Sequence, residues 1–330
     1  GPGTTEPLEH AAGMSLGEIA VAVFFALSGL LIANSFERRS SWVQFVIARI
    51  LRLFPALLLV LVITVVAGFA FTNLAPAAYL GSTETWTYVP RNLSLAFLQY
   101  PLPGVFERNV YPSAINGSLW TLFYEVVCYA GLFFVGIIGV LQRKWLISGI
   151  SLAICVAYIF SLDWQPLPGN ITTRLSLLIK LAFPFTLGVM AFVWRDRFAF
   201  GWKLALALWL VTAFALGSSY APFFVVIALA YTIGWLGFVP KGRALLFNKL
   251  GDYSYGIYIY AFPVQQAMSN LFPSAGPFGN IALSVPPTLL LAIMSWHLLE
   301  KRSLARIKPI AALLQSRVTW LPQGKQSAQP

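Results

Sequence analysis

The chain is short of charge. Only 10% of its 330 residues are Asp, Glu, Lys or Arg, where a soluble domain carries about 25%. So few charges cannot coat a globule of this size with hydrated surface, which excludes an ordinary soluble fold. The residues that hold metals or disulfides are equally scarce. Cys128 and Cys155 are the two cysteines, each inside an apolar run, so neither a disulfide framework nor a Cys-based metal site is expected. The two histidines, His10 and His297, are far apart and lack ligand spacing, and no bound metal is expected. There is no internal repeat and no low-complexity block. Acid is scarcer than base, with 11 Asp and Glu against 22 Lys and Arg.

What fills the chain is hydrocarbon. The composition is 58% hydrophobic and 15% aromatic, and mean hydropathy is +0.75. A membrane helix needs about 20 mostly apolar residues. About nine such runs are present, at roughly 16–35, 53–73, 118–140, 145–162, 175–194, 203–218, 221–239, 254–272 and 281–299. The expected fold is an all-α, polytopic transmembrane helix bundle. It divides into a membrane domain over 1–309 and a loosely ordered tail over 310–330. The longest stretch outside the spans, about 74–117, is rich in Pro and aromatics and is expected to be an irregular functional loop.

The basic residues orient the bundle. Arg38, Arg39, Arg49 and Arg52 follow the first span, Arg143 and Lys144 the third, and Arg195, Arg197 and Lys203 the fifth. Lys241, Arg243 and Lys249 follow the seventh, and Lys301, Arg302, Arg306, Lys308, Arg317 and Lys325 the last. Opposite loops hold only Arg91, Arg108 and Arg174. Positive-inside sorting puts the first group, and the C-terminus, in the cytoplasm of a bacterial inner membrane. A basic face beside anionic lipid explains the net charge of +11 without any nucleic acid. Nine spans ending inside require an outer N-terminus, so a tenth, preceding helix is expected to be absent from this chain.

Three blocks carry chemistry. Ser28-Gly29 lies mid-span. Small residues there suit close helix packing and equally a hydroxyl surface along a substrate path. Arg49 and Arg52, three residues apart, share a helix face at the cytoplasmic mouth of the second span. Interfacial anchoring accounts for them, as does a clamp for the phosphates of a cytoplasmic donor. Asn116-Gly-Ser-Leu-Trp120 leads into Glu125, a carboxylate inside a span. Such a group costs about 2.5–3.5 kcal/mol to insert and is a functional candidate, or else a partner for an Arg or Tyr. Asp252 suits an N-cap for the 254–272 span, while His297 and Glu300 suit headgroup or neighbour contacts.

Together these blocks resemble the acyltransferase-3 family of membrane acyltransferases. The resemblance rests on Val21-Ala-Val-Phe-Phe-Ala-Leu-Ser-Gly-Leu-Leu-Ile32, Arg49-Ile-Leu-Arg52-Leu-Phe-Pro55 and Asn116-Gly-Ser-Leu-Trp-Thr-Leu122 followed by Glu125. Two late blocks, Leu250-Gly-Asp-Tyr-Ser-Tyr-Gly-Ile-Tyr258 and Ser295-Trp-His-Leu-Leu-Glu300, complete it. It implies about ten membrane helices and transfer of an acyl group, commonly acetyl from acetyl-CoA, to a hydroxyl of a surface or lipid-linked sugar. It also implies that Arg49, Arg52, Ser28 and Gly29 serve the acyl-CoA side. Glu125, Asn116, Ser118 and Trp120 would then serve the glycan or glycolipid acceptor, with lipid around the whole. The histidine that the family carries in its first helix is expected in the absent segment, which would leave this chain inactive by itself. Ala261 and Lys301 also depart from the family pattern. A transporter or flippase for a sugar or glycolipid is the competing reading, against which no paired repeats or broken helices are seen.

Overall fold

The computed structural model describes residues 9–39, 41–163, 170–198, 200–239 and 251–317. Lys241, Arg243, Lys249, Leu250, Lys325 and the last thirteen residues of the expected tail lie outside them. Fourteen α-helices follow in order: α1 (Glu9–Ala12), α2 (Leu16–Arg38), α3 (Trp42–Phe71), α4 (Pro76–Gly81), α5 (Thr83–Leu93), α6 (Trp120–Ile137), α7 (Lys144–Asp163), α8 (Asn170–Val193), α9 (Trp202–Ala215), α10 (Ala221–Phe238), α11 (Ser254–Leu271), α12 (Gly276–Ser295), α13 (Lys301–Ala305) and α14 (Ile307–Arg317). No strand occurs among the described residues. In hydrocarbon every backbone N–H and C=O must find a partner within its own segment, which dictates helices.

Among the described residues seven helical stretches are long and apolar enough to cross a membrane, and the protein is an all-α integral membrane protein. Two of the nine expected runs are not among the seven. α9 has only 14 residues, and α11 carries Ser, Gln and Asn along its 18 residues. The helix of the second span begins at Trp42 rather than near 53, so Arg49 and Arg52 lie inside α3. The stretch 74–117 is not structureless either: α4 and α5 occupy it, and side chains tie it down. Tyr79 donates to the Val65 carbonyl at 2.8 Å and Thr85 to the Tyr79 carbonyl at 2.7 Å. Asn92 and Gln99 brace the turn that follows α5.

The chain forms two compact units. One combines Val43–Phe123 with Phe247–Pro330, and the other combines Thr4–Trp42 with Tyr124–Leu246. The division therefore falls inside α6. In the first unit α11 pairs with α12, and a Cβ on Gly256 would lie 2.9 Å from the Ala292 Cα. α14 packs Ile307 and Ala311 against Ile47 and Ala48 of α3. Its helix continues through residue 310, where the tail was expected to begin.

In the second unit α2 and α8 are in backbone contact. A Cβ on Gly29 would lie 1.9 Å from the Phe185 carbonyl oxygen, and one on Gly188 would lie 2.0 Å from the Ala26 carbonyl oxygen. Each glycine thus opens the space the other helix fills, as lipid-embedded helices require when hydrophobicity supplies no net attraction between them. Tyr158, Phe183 and Phe223 stack at 4.4 and 5.7 Å, joining α7, α8 and α10. Ser15 and Glu18 form a capping box that starts α2.

Candidate active site

Two clusters of polar side chains sit in otherwise apolar surroundings, one in each unit. The first is built around Arg52. Its Nη1 donates to Glu300 Oε2 at 2.9 Å and its Nη2 to Asp252 Oδ2 at 2.7 Å. The guanidinium also lies 5.5 Å from the Tyr255 ring centroid and 5.7 Å from that of Trp296. Glu300 is fully buried and accepts from Ser295 Oγ at 2.9 Å.

Glu300 reaches Arg52 through a local irregularity. Residues Trp296–Glu300 form a π-helical turn, in which the Lys301 N–H bonds the Trp296 carbonyl. Such turns widen the helix by a residue and are frequent at functional sites. Gly251 lies beneath the Trp296 ring, 2.4 Å from where its Cβ would be. Asp252 is not the expected N-cap: Tyr253 holds that position without a side-chain cap bond. Asp252 instead serves Arg52 and accepts from Ser254 Oγ at 2.6 Å. His297 is exposed, 3.2 Å from the Tyr253 hydroxyl. Arg49, half-buried, lies one turn before Arg52 on α3.

The Asn116–Trp120 block belongs to the same unit, and α11 brings it near the Arg52 cluster. The segment after Asn109 runs antiparallel to α11. Asn109 donates to the Gln266 carbonyl at 2.8 Å, and Gln266 donates to the carbonyls of Tyr111 and Ala114. Asn116 Nδ2 donates to the Ile259 carbonyl at 3.0 Å, in the second turn of α11. Asn116 Oδ1 caps the turn Gly117–Leu119, accepting from the Ser118 N–H at 3.2 Å and the Ser118 hydroxyl at 2.7 Å. Tyr258 donates to the Ser118 carbonyl at 2.7 Å and contacts the Thr121 hydroxyl. Tyr255 donates to the Leu53 carbonyl at 2.9 Å, beside Arg52.

Tyr255, Tyr258 and Ile259 therefore lie in the first two turns of α11, and Asp252 lies two residues before its first turn. From Asn109 to Asn116 the segment runs along α11 from Gln266 to Ile259. Trp120 is half-buried at the first position of α6.

The second cluster contains Glu125, Ser28 and Tyr129. Glu125 is 2% exposed. Ser28 Oγ donates to Glu125 Oε1 at 3.3 Å and lies 3.3 Å from the Tyr129 hydroxyl, which also donates to Oε1. Glu125 and Tyr129 are one turn apart on α6, so helix geometry aligns them before any tertiary contact. Gly29 takes no part; its role is the contact with α8. The two hydroxyls hold Oε1 of this carboxylate in one orientation.

Sequence reasoning read Asp252 as an N-cap and Glu300 as a headgroup or neighbour contact, and it did not single out Tyr129. One signal could have found Glu300. With 11 acidic residues in the whole chain, a carboxylate at the end of an apolar run needs a cation close by. Among the described residues no group of His, Cys, Asp and Glu could hold a metal ion.

Comparison with known proteins agrees with these features. The O-acetyl transferase of Shigella phage Sf6 is 31% identical over 311 residues, covering 91% of this chain and 88% of the relative. Nodulation protein 10 of Rhizobium leguminosarum bv. viciae is 27% identical, covering 85% of this chain and 80% of the relative. Acyltransferase MdmB of Streptomyces mycarofaciens is 27% identical, covering 76% and 68%. No solved structure matches the chain. The family model described as an acyltransferase domain spans residues 1–297, more than half of the chain, and the protein belongs to this acyltransferase-3 family of membrane acyltransferases.

Proposed function

We propose that the protein transfers an acyl group, most simply acetyl, from acyl-CoA on the cytoplasmic side to a hydroxyl of a cell-surface or lipid-linked sugar. The membrane is a bacterial inner membrane, and the C-terminus is cytoplasmic. In this reaction the thioester C–S bond breaks and a C–O ester bond forms. The sugar hydroxyl proton leaves and the CoA thiol is protonated. The step needs a group that accepts or orients that proton and a dipole for the tetrahedral oxyanion.

The observation that carries this reading is the placement of α11. The start of α11 meets both the donor-side arginine, through Asp252 and Tyr255, and the acceptor-side turn, through Tyr258 and Ile259, so one helix links the two sides. Arg52 is held by two carboxylates, and its part is to shape the donor mouth. Arg49, one turn earlier, is the residue assigned to donor phosphate. The hydroxyl and amide groups of the Asn116–Ser118 turn are engaged with one another and with α11, which fixes the shape of the acceptor side, and Trp120 offers a sugar a flat apolar face. In the second unit Glu125, held by Ser28 and Tyr129, is the oriented carboxylate assigned to the proton transfer. The positive-inside sorting and the O-acetyl transferase name of the phage relative support the direction and the chemistry.

The test is a transfer assay with radiolabelled acetyl-CoA in membranes carrying the protein, together with mass spectrometry of surface glycans with and without the gene. Glu125→Gln keeps shape and removes charge; it is expected to lower kcat by about 10²–10⁴-fold at unchanged melting temperature. Undiminished transfer by that variant, or unchanged glycan acetylation without the gene, rejects the proposal.

A further inference from the structure

α7, α8 and the part of α6 that belongs to the second unit line an apolar cavity of 310 Å3. Its walls include Cys128, Leu132, Ile147, Ile154, Ala182 and Val189. On α8 the lining positions run from Leu178 to Val189, about 16 Å at 1.5 Å per residue. That is about half of the roughly 30 Å hydrocarbon core, the depth of one leaflet.

Leu141 and Ile147, in these walls, adjoin in sequence Gln142 and Leu146, which line a second cavity of 660 Å3. It is lined by Arg143, Lys144, Trp145, Trp194 and Arg197, with no Asp or Glu. Its walls are held in place. The Trp194 indole N–H donates to Ser148 Oγ at 3.1 Å, Trp145 packs edge-on to Trp194 at 5.3 Å, and Lys144 Nζ lies 5.6 Å over the Trp194 ring. Asp196 lies 3.9 Å from Arg195. Among the described residues no carboxylate forms an ion pair with Arg143, Lys144 or Arg197. Three cations and two tryptophans thus sit where spans end, at headgroup depth.

We propose that the two cavities form one site for an anionic phospholipid. Its phosphate lies among Arg143, Lys144 and Arg197, its glycerol region rests against Trp145 and Trp194, and one tail fills the cavity between α6, α7 and α8. Charge complementarity selects the headgroup, and the one-leaflet length selects the tail. The tail ends against Cys128 and Phe185; the Phe185 ring lies 6.5 Å from that of Tyr129, which holds Glu125. Bound lipid therefore forms the wall behind the second polar cluster. This holds whatever the acceptor proves to be.

Native mass spectrometry of the full chain, purified with defined lipid, tests the site. Phosphatidylglycerol is expected to be retained at one copy, at least about tenfold better than phosphatidylcholine with the same tails, since each Lys or Arg near an anionic headgroup contributes a several-fold preference. Replacing Arg143, Lys144 and Arg197 together with Gln is expected to abolish that preference. Gly131→Leu reads the tail separately. Gly131 lines the apolar cavity, and a Cβ there meets nothing within 4 Å, so the larger side chain fills the space without disturbing the fold. It is expected to release phosphatidylglycerol with all three cations intact, and if the triple variant fails to fold, this result and Arg197→Gln alone carry the test. Equal retention of the two lipids, full retention by Gly131→Leu, or displacement of the lipid by acetyl-CoA mole for mole overturns the proposal.

Discussion

Arg52 and Glu300 are 248 residues apart in the chain and 2.9 Å apart in space. The value of each carboxylate to Arg52 follows from its surroundings. The Glu300 side chain is 1% exposed and that of Asp252 is 56% exposed. Removing one partner of a buried pair strands the other and costs about 3–5 kcal/mol, while an exposed pair contributes about 0–1 kcal/mol. Glu300→Ala is therefore expected to lower the melting temperature in detergent sharply and Asp252→Ala barely. Equal effects would show that Arg52 is solvated. Arg49 gives a contrasting readout. If it binds donor phosphate, Arg49→Ala raises KM for acyl-CoA by roughly 10–100-fold, the equivalent of a charged hydrogen bond of about 1.5–3 kcal/mol, with the melting temperature unchanged. An unaltered KM removes it from the donor side. The arginine pair was legible as residues three apart on a helix. Their partners were not, because a residue's burial and its distant neighbours leave no local pattern.

At the scale of elements, the α2–α8 contact is set by two glycines. Gly29→Ala puts a methyl group 1.9 Å from a backbone oxygen that no rotamer change can move. The helices must separate, at a cost of about 1–3 kcal/mol by analogy with overpacked cores. Gly131→Ala, which meets nothing within 4 Å, is the matched control and is expected to leave the melting temperature within about a degree. If the two variants melt alike, the contact is not as close as the structure has it. Most helices were legible from their apolar runs, because unpaired backbone in lipid is too costly to tolerate. The start of α3 was placed too late, near residue 53. A hydropathy reading stops at Arg49 and Arg52, but the backbone continues helical because its hydrogen bonds do not depend on side-chain polarity. The π-helical turn at Trp296–Glu300 was invisible for a related reason: it is a register shift that the Arg52 contact makes favourable.

For the whole molecule, the sorting of Lys and Arg makes a topological prediction. In a background of Cys128→Ala and Cys155→Ala, a cysteine replacing the exposed Arg108 is expected to react with a membrane-impermeant maleimide on intact cells. One replacing the exposed Arg302 is expected to react only after permeabilisation. The reverse pattern would invert the donor and acceptor sides. Family membership decides against the transporter reading, which composition and span number alone had left standing.

Fold class, membrane residence, family and the identity of most polar residues inside the spans were determined by the amino-acid sequence, because hydrocarbon imposes local rules on every segment that enters it. The grouping of those polar residues was decided by tertiary structure alone. Asn116 meets Ile259 only because its segment runs along α11, Glu300 meets Arg52 only through a widened turn, and Ser28 meets Glu125 across two helices. A polar side chain in lipid must find some partner, but which one depends on packing between segments that lie far apart in the chain.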